Sequence, residues 1–314
     1  MTRKRWVTPV AVLLGLGGLV ALAMLGAGEQ PSSSAPGGRE ATAATTSAPA
    51  RRAGPTDAEF DAHVQALRDR LPEGFTLCVA RPFVVLGDED ADTVLRRADG
   101  TVRWAVELLR KDFFEKDPAE IIDIWLFRDK TSYLEHAARL FGDAPDTPFG
   151  YYSARHQALV MNIRTGGGTL VHEIVHPFMR ANFPACPSWF DEGLASLYEQ
   201  SGERDGHIVG YTNWRLAGLQ KAVREGKALR FERLCGLTRD EFYGEGSGLH
   251  YAQARYLCYW LQQHGRLVKF YHAFVAVQKD DPTGYKTLVR ILGEDDMDAF
   301  QTRWQAWVLK LRYP

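Results

Sequence analysis

The chain changes character at Gly166, and that change limits what it can fold into. Upstream, the apolar residues come in short β-branched and aromatic runs. "FTLCVARPFVVLGD" (75–88) reads as one or two strands, "IIDIWLF" (121–127) as a buried strand, and "YYSARHQALVMNI" (151–163) as two strands meeting around 154–157. Two upstream segments carry helical spacing instead, one through Leu95, Val102, Val106 and Leu109, the other near 131–141. Downstream the strand signal nearly vanishes, and helices are predicted near 169–182, 188–200, 212–225, 248–264, 266–278 and 295–311. Strands first and helices later predict an α+β fold, with a small mixed sheet near the N-terminus and a mainly helical C-terminal part. At 45% apolar and 25% charged, 314 residues can bury a core of that kind. In the last helix Phe300, Trp304, Trp307, Val308 and Leu311 share a face, which reads as core packing.

The first 56 residues are expected to stand apart. Arg3, Lys4 and Arg5 precede an uncharged run from Trp6 to Gly28, so residues 1–28 read as a signal peptide or an uncleaved signal anchor. The run exceeds the roughly 7–15 residues of a cleavable apolar region and approaches the roughly 20 that span a bilayer. Ala21-Leu22-Ala23 or Leu25-Gly26-Ala27 offers a cleavage point. Either reading puts the folded part outside the cytoplasm, secreted or held on the membrane by one segment. Residues 29–56, rich in Ala, Ser, Thr, Pro and Gly, read as a flexible tether, and 57–314 as the folded domain. With 38 basic and 39 acidic residues there is no electrostatic footprint for nucleic acid. The four cysteines, Cys78, Cys186, Cys235 and Cys258, form no CxxC. A Cys186 to Cys235 bridge is expected, with Cys258 a buried thiol in "YLCYWL".

The chemistry concentrates in "GGGTLVHEIVHPF" (166–178). Residues four apart project from one face of a helix, so His172 and His176 can offer imidazole nitrogens to one ion. Glu173 lies about 100° round the helix, displaced from the ligand pair but within reach of a water on the open side, the position of a general base. Pro177 removes the N–H that would bond the Glu173 carbonyl and is expected to kink or end the helix. A catalytic zinc usually takes three protein ligands, so a third donor is expected downstream. In "CPSWFDEGLASLYE", Ser188 is a natural N-cap with Asp191 in a capping-box-like place, and a second helix starting there brings Asp191 or Glu192 towards the ion. His63, His136, His156, His207, His264 and His272 are read as satisfied core or surface histidines.

Together, H-E-x-x-H and the later glutamate of "WFDEGLA" resemble the gluzincin metallopeptidases, especially the peptidase-MA-like domains, over 168–199 and more loosely to 261. The resemblance implies a zincin-like fold, one zinc per chain held by His172, His176 and Glu192, and Glu173 as base and later proton donor. It also implies a tyrosine on a later helix that stabilises the oxyanion. "GLHYAQARYLCYWL" places Tyr251 there, with His250, Tyr152 and Tyr211 as other donors, although the lysine and glycine that follow in related aminopeptidases are absent. The strand before the zinc helix, 158–163, is the implied edge for a substrate backbone. The aminopeptidase Gly-x-Met-Glu-Asn motif does not occur, which favours endopeptidase action on a peptide or protein substrate. The alternative expectation is an inactive zinc-containing binding or scaffold domain at the cell surface, for which an intact Glu173 has no use.

Overall fold

The structure, a computed structural model, describes residues 54–313, so the N-terminal apolar segment and nearly all of the tether lie outside the described residues. The described chain opens with α1 (Asp57–Asp69), started by a reciprocal capping box between Thr56 and Glu59. β1 (Thr76–Ala80) and β2 (Phe83–Gly87) pair antiparallel. A continuous helical run follows, made of α2 (Ala91–Arg97), a π-helical stretch (Ala98–Arg103) and α3 (Trp104–Asp112). β3 (Ile122–Phe127), α4 (Lys130–His136), β4 (Gly150–Ser153) and β5 (Ala158–Asn162) complete the first half.

The five strands form one mixed sheet in the order β1-β2-β3-β5-β4, with β2, β3 and β5 parallel and the outer strands antiparallel. Period-two alternation sends Val85, Ile124, Leu126, Leu159 and Met161 to one face, where α3 and the helix after β5 cover them. Val84, Leu86, Trp125, Phe127 and Val160 go to the other, under α1 and α4. Both faces are buried, which is why these strands read as unbroken apolar runs.

α5 (Gly167–Asn182) and α6 (Ser188–Leu197) begin the helical half. A hairpin of β6 (Ser201–Arg204) and β7 (His207–Gly210) then precedes α7 (Arg215–Arg224), α8 (Phe231–Cys235), α9 (Arg239–Tyr243) and α10 (Ser247–Gln263). α11 (Leu267–Val277), α12 (Tyr285–Leu292) and α13 (Met297–Val308) close the chain. The molecule is therefore a mixed α+β fold with a small sheet and a predominance of helix. Among the described residues no helix is long and apolar enough to cross a membrane. On α13 Phe300, Trp304 and Val308 are buried, as the stripe predicts, and the Trp304 indole donates to the Tyr256 carbonyl at 3.3 Å.

α10 is the packing partner of α6. An ideal Cβ on Gly193 would stand 3.1 Å from both the Ala254 carbonyl oxygen and Cys258 Sγ, so the glycine allows the two helices to approach closely. Arg255, fully buried, donates to the carbonyls of Ser196, Leu197 and Tyr211 and so satisfies the C-terminal end of α6.

Several expectations need correction. α5 runs through Pro177 to Asn182, neither ending nor splitting there, because Phe178 and Met179 beyond the proline are buried in the core. Pro187, and not Ser188, is the N-cap of α6, since Asp191 is engaged by His176 instead of closing a capping box. All four cysteines are free, so the Cys186–Cys235 bridge is not formed. Cys235 and Cys258 are buried on α8 and α10, the Cys186 thiol donates to the Pro187 carbonyl at 3.6 Å, and burial pushes all three thiols up, towards the protonated form. The β6/β7 hairpin went unforeseen, although its Asp205-Gly206 pair, both at positive φ (54° and 74°), is a strong two-residue turn signal.

Candidate metal centre

Two helices from different parts of the fold meet at the site. α5 leaves β5 through a short turn at 163–166, and its apolar side, with Leu170, Val171, Ile174, Val175 and Phe178, is buried in the core. His172 and His176 project one turn apart, their ring centroids 5.0 Å from each other. α6 brings Glu192 against them. Its Oε2 lies 3.2 Å from His172 Nε2 and 3.8 Å from His176 Nε2. The three donor atoms fall within 4.8 Å of one another, close enough to share one ion, and this is the one such group of three or more among the described residues.

The far nitrogens of both rings face carboxylates. His176 Nδ1 donates to Asp191 Oδ1 at 2.9 Å, and His172 Nδ1 stands 3.5 Å from Glu199 Oε1. A carboxylate only accepts, so protons on Nδ1 leave each Nε2 free to bind a cation. Asp191, a rival third ligand in the sequence, thus orients a histidine. Glu199 is itself held by Arg215, at 2.7 and 2.9 Å, and by the Asn213 amide at 2.8 Å. Tyr243 donates to the second Glu192 oxygen, Oε1, at 2.6 Å.

This charge pattern moves the ionisation of each group. Burial disfavours the His172 imidazolium, but hydrogen bonds and charge from Glu192 and Glu199 outweigh it and push the group up to about 10. His176 is likewise raised, against burial, by Asp191 and Glu192. Burial raises the Glu192 carboxyl, while the charges of His176 and His172 and the Tyr243 bond hold it down, to about 2. The Arg215 guanidinium holds Glu199 well below the usual carboxylate range, again against burial.

The residues fit a divalent cation. Glu192 Oε2 is buried and has no hydrogen-bond donor, although it sits beside two imidazole nitrogens, and such an orphaned acceptor is costly unless something positive completes it. Two imidazoles and a carboxylate suit a borderline ion better than a hard one. Glu173 is buried next to His172 on the same helix and is not one of the three donors that could share the ion.

Tyr251, on α10, also faces Glu192; burial first, and then the Glu192 charge, push its hydroxyl far up. The other expected donors lie elsewhere. His250 Nδ1 bonds the Phe242 carbonyl at 3.0 Å, the Tyr152 ring stacks under Arg180 and Tyr211 packs against Gly202. The edge assignment also changes. β5 is interior, paired by β3 and β4, because the chain reverses at 154–157 and lays β4 alongside it; β4 and β1 are the free edges. The remaining histidines have ordinary partners, among them His63 with Asp123 (2.7 Å), His207 with Asp112 (2.5 Å) and His136 with the Ser132 carbonyl (2.9 Å). Glu199, Arg215, Asn213 and Tyr243 were missed. Only Glu199 left a signal, seven residues after Glu192 inside the helix predicted over 188–200, although α6 ends at Leu197 and Glu199 lies in the turn beyond it. No family model matches the chain, and no curated protein matches it.

Proposed function

We propose that this chain is a zinc metallopeptidase of the gluzincin type, with a zincin-like fold, acting outside the cytoplasm as an endopeptidase on peptides or proteins. The observation that carries the reading is the orphaned Glu192 Oε2 facing two imidazoles, the outer nitrogen of His176 bonded to Asp191 and that of His172 3.5 Å from Glu199, with Glu173 directly after His172 on the same helix. His172, His176 and Glu192 hold the ion, which when bound supplies Lewis-acid polarisation of a carbonyl and an acidified water. Glu173 accepts the proton of the attacking water and returns it to the leaving amine. Tyr251 donates its hydroxyl proton to the developing oxyanion; burial keeps that phenol protonated across the working range. The free edge of β4 offers backbone groups to an extended substrate as an added strand. The N-terminal segment, if uncleaved, keeps the domain on its membrane.

The test is metal content per purified chain, with Glu192→Ala prepared in parallel, followed by a peptide-library digest with Glu173→Gln as control. About one zinc per chain, markedly less in Glu192→Ala, and cleavage by the parent alone are expected. Glu173→Gln should keep its zinc and lose turnover by about 10²–10⁴-fold. A zinc-loaded parent that cleaves nothing would leave the inactive binding domain as the reading, and a parent that takes up no zinc would end both.

A further inference from the structure

A carboxylate can give a metal one oxygen or two, and the choice decides how many positions stay open for water and substrate. In this site the two Glu192 oxygens differ. Oε2 faces His172 and His176 without a donor, while Oε1 receives the Tyr243 hydroxyl at 2.6 Å, within the short range of charge-assisted bonds. Tyr243 is itself firmly placed. Its helix α9 starts with a Thr238/Glu241 capping box, Glu241 pairs with Arg233 at 2.6 Å, and the neighbouring Phe242 is fully buried. The Arg239 guanidinium covers the Tyr243 ring at 4.9 Å, and the Tyr251 ring lies 6.2 Å away.

We propose that Tyr243 is a positioning residue that makes Glu192 a one-oxygen metal ligand, leaving the fourth position of the site to water and substrate. Two phenols flank Glu192, and Tyr243 is the one that makes the short bond, 2.6 Å to Oε1. The inference rests on the metal-site part of the function proposed above and needs no turnover.

Cobalt(II) is the probe, because its visible bands report coordination number. The intact chain, Tyr243→Phe, Glu192→Ala and the double variant are titrated with cobalt against a chromophoric chelator, and the visible spectra of the loaded proteins are recorded. Tyr243→Phe should bind cobalt about 10–100-fold more weakly, the range usual for loss of a group that orients a ligand. Its visible bands should lose intensity as Glu192 turns to offer both oxygens. In the Glu192→Ala background the same change should cost nothing further. Equal affinity and an unchanged spectrum in Tyr243→Phe would overturn the proposal. So would an equal loss in both backgrounds, which would mean that the hydroxyl acts through the fold. A parent that binds no cobalt would sink the metal site as well as this role.

Discussion

Glu199 shows how a residue that never touches the ion can decide whether the site forms. Its buried carboxylate lies between His172 and the partly buried Arg215, so removing its charge affects both neighbours. Glu199→Gln should weaken metal binding about 10–100-fold by freeing the His172 ring. It should also destabilise the metal-free protein by about 1–3 kcal/mol, because the partly buried Arg215 loses its charge-assisted partner. Chelator competition and urea unfolding measure the two effects separately; a stability loss with unchanged metal affinity would show that Glu199 serves Arg215 alone. At this scale the sequence was legible wherever chemistry depended on local spacing. His172, Glu173 and His176 follow from one helical turn, whereas the next helix offers Asp191 or Glu192 and the family resemblance selects Glu192. Tyr243, 51 residues beyond the carboxylate it binds, has no local pattern to announce it, and Asp191 reads as a capping residue or a rival ligand because nothing in the sequence shows where the outer nitrogen of His176 points.

Between helices, close approach matters more than propensity. Gly168 sits at the start of α5 with its Cα turned to the Glu199 carbonyl oxygen, which an ideal Cβ would meet at 1.9 Å. Gly168→Ala must therefore move backbone, costing about 1–3 kcal/mol or more, and because the displaced residue is Glu199 the metal affinity should fall with it. A variant as stable and as tightly metallated as the parent would show that α5 can slide without penalty. The same comparison explains Pro177. A mid-helix proline costs about 3 kcal/mol, but Phe178 and Met179 beyond it each gain about 1.5–3 kcal/mol from full burial, so α5 continues. Periodicity located the long helices α5, α10, α11 and α13 and the sheet strands, which are bounded by strong patterns. It overlooked α1, although that helix has 13 residues, and α8, α9 and α12, which have five to eight residues each and draw their stability from the core they cover. Strand order is a tertiary fact that spacing does not encode, and the edge at 158–163, implied by the family resemblance alone, is interior in the sheet.

For the molecule as a whole, the site makes stability depend on pH and metal together. His172, raised to about 10 from an ordinary 6.5, contributes stability that is fully present below 6.5 and is lost as pH rises through about 10. Glu192, lowered to about 2 from 4.5, contributes stability that is present above 4.5 and is lost as pH falls through about 2. The metal-free protein should therefore have its highest melting temperature between 4.5 and 6.5. Zinc must displace the His172 proton, so its affinity should climb about tenfold per pH unit for one proton released, and the optimum of the loaded protein should move upwards. Melting curves across this range with chelator or with zinc would show the two optima; a single shared optimum would mean that His172 is not protonated in the empty site. The arrangement also says something about portability. All three donors and Asp191 lie within 21 consecutive residues, yet the other groups that orient them come from α7, α9 and the stretch after α6, and α6 is seated by Gly193 and Arg255 against α10. A fragment ending after α6 would carry every ligand and none of this scaffolding, and would behave as a floppy chelating peptide; transplanting the centre into another protein means transplanting the whole helical half.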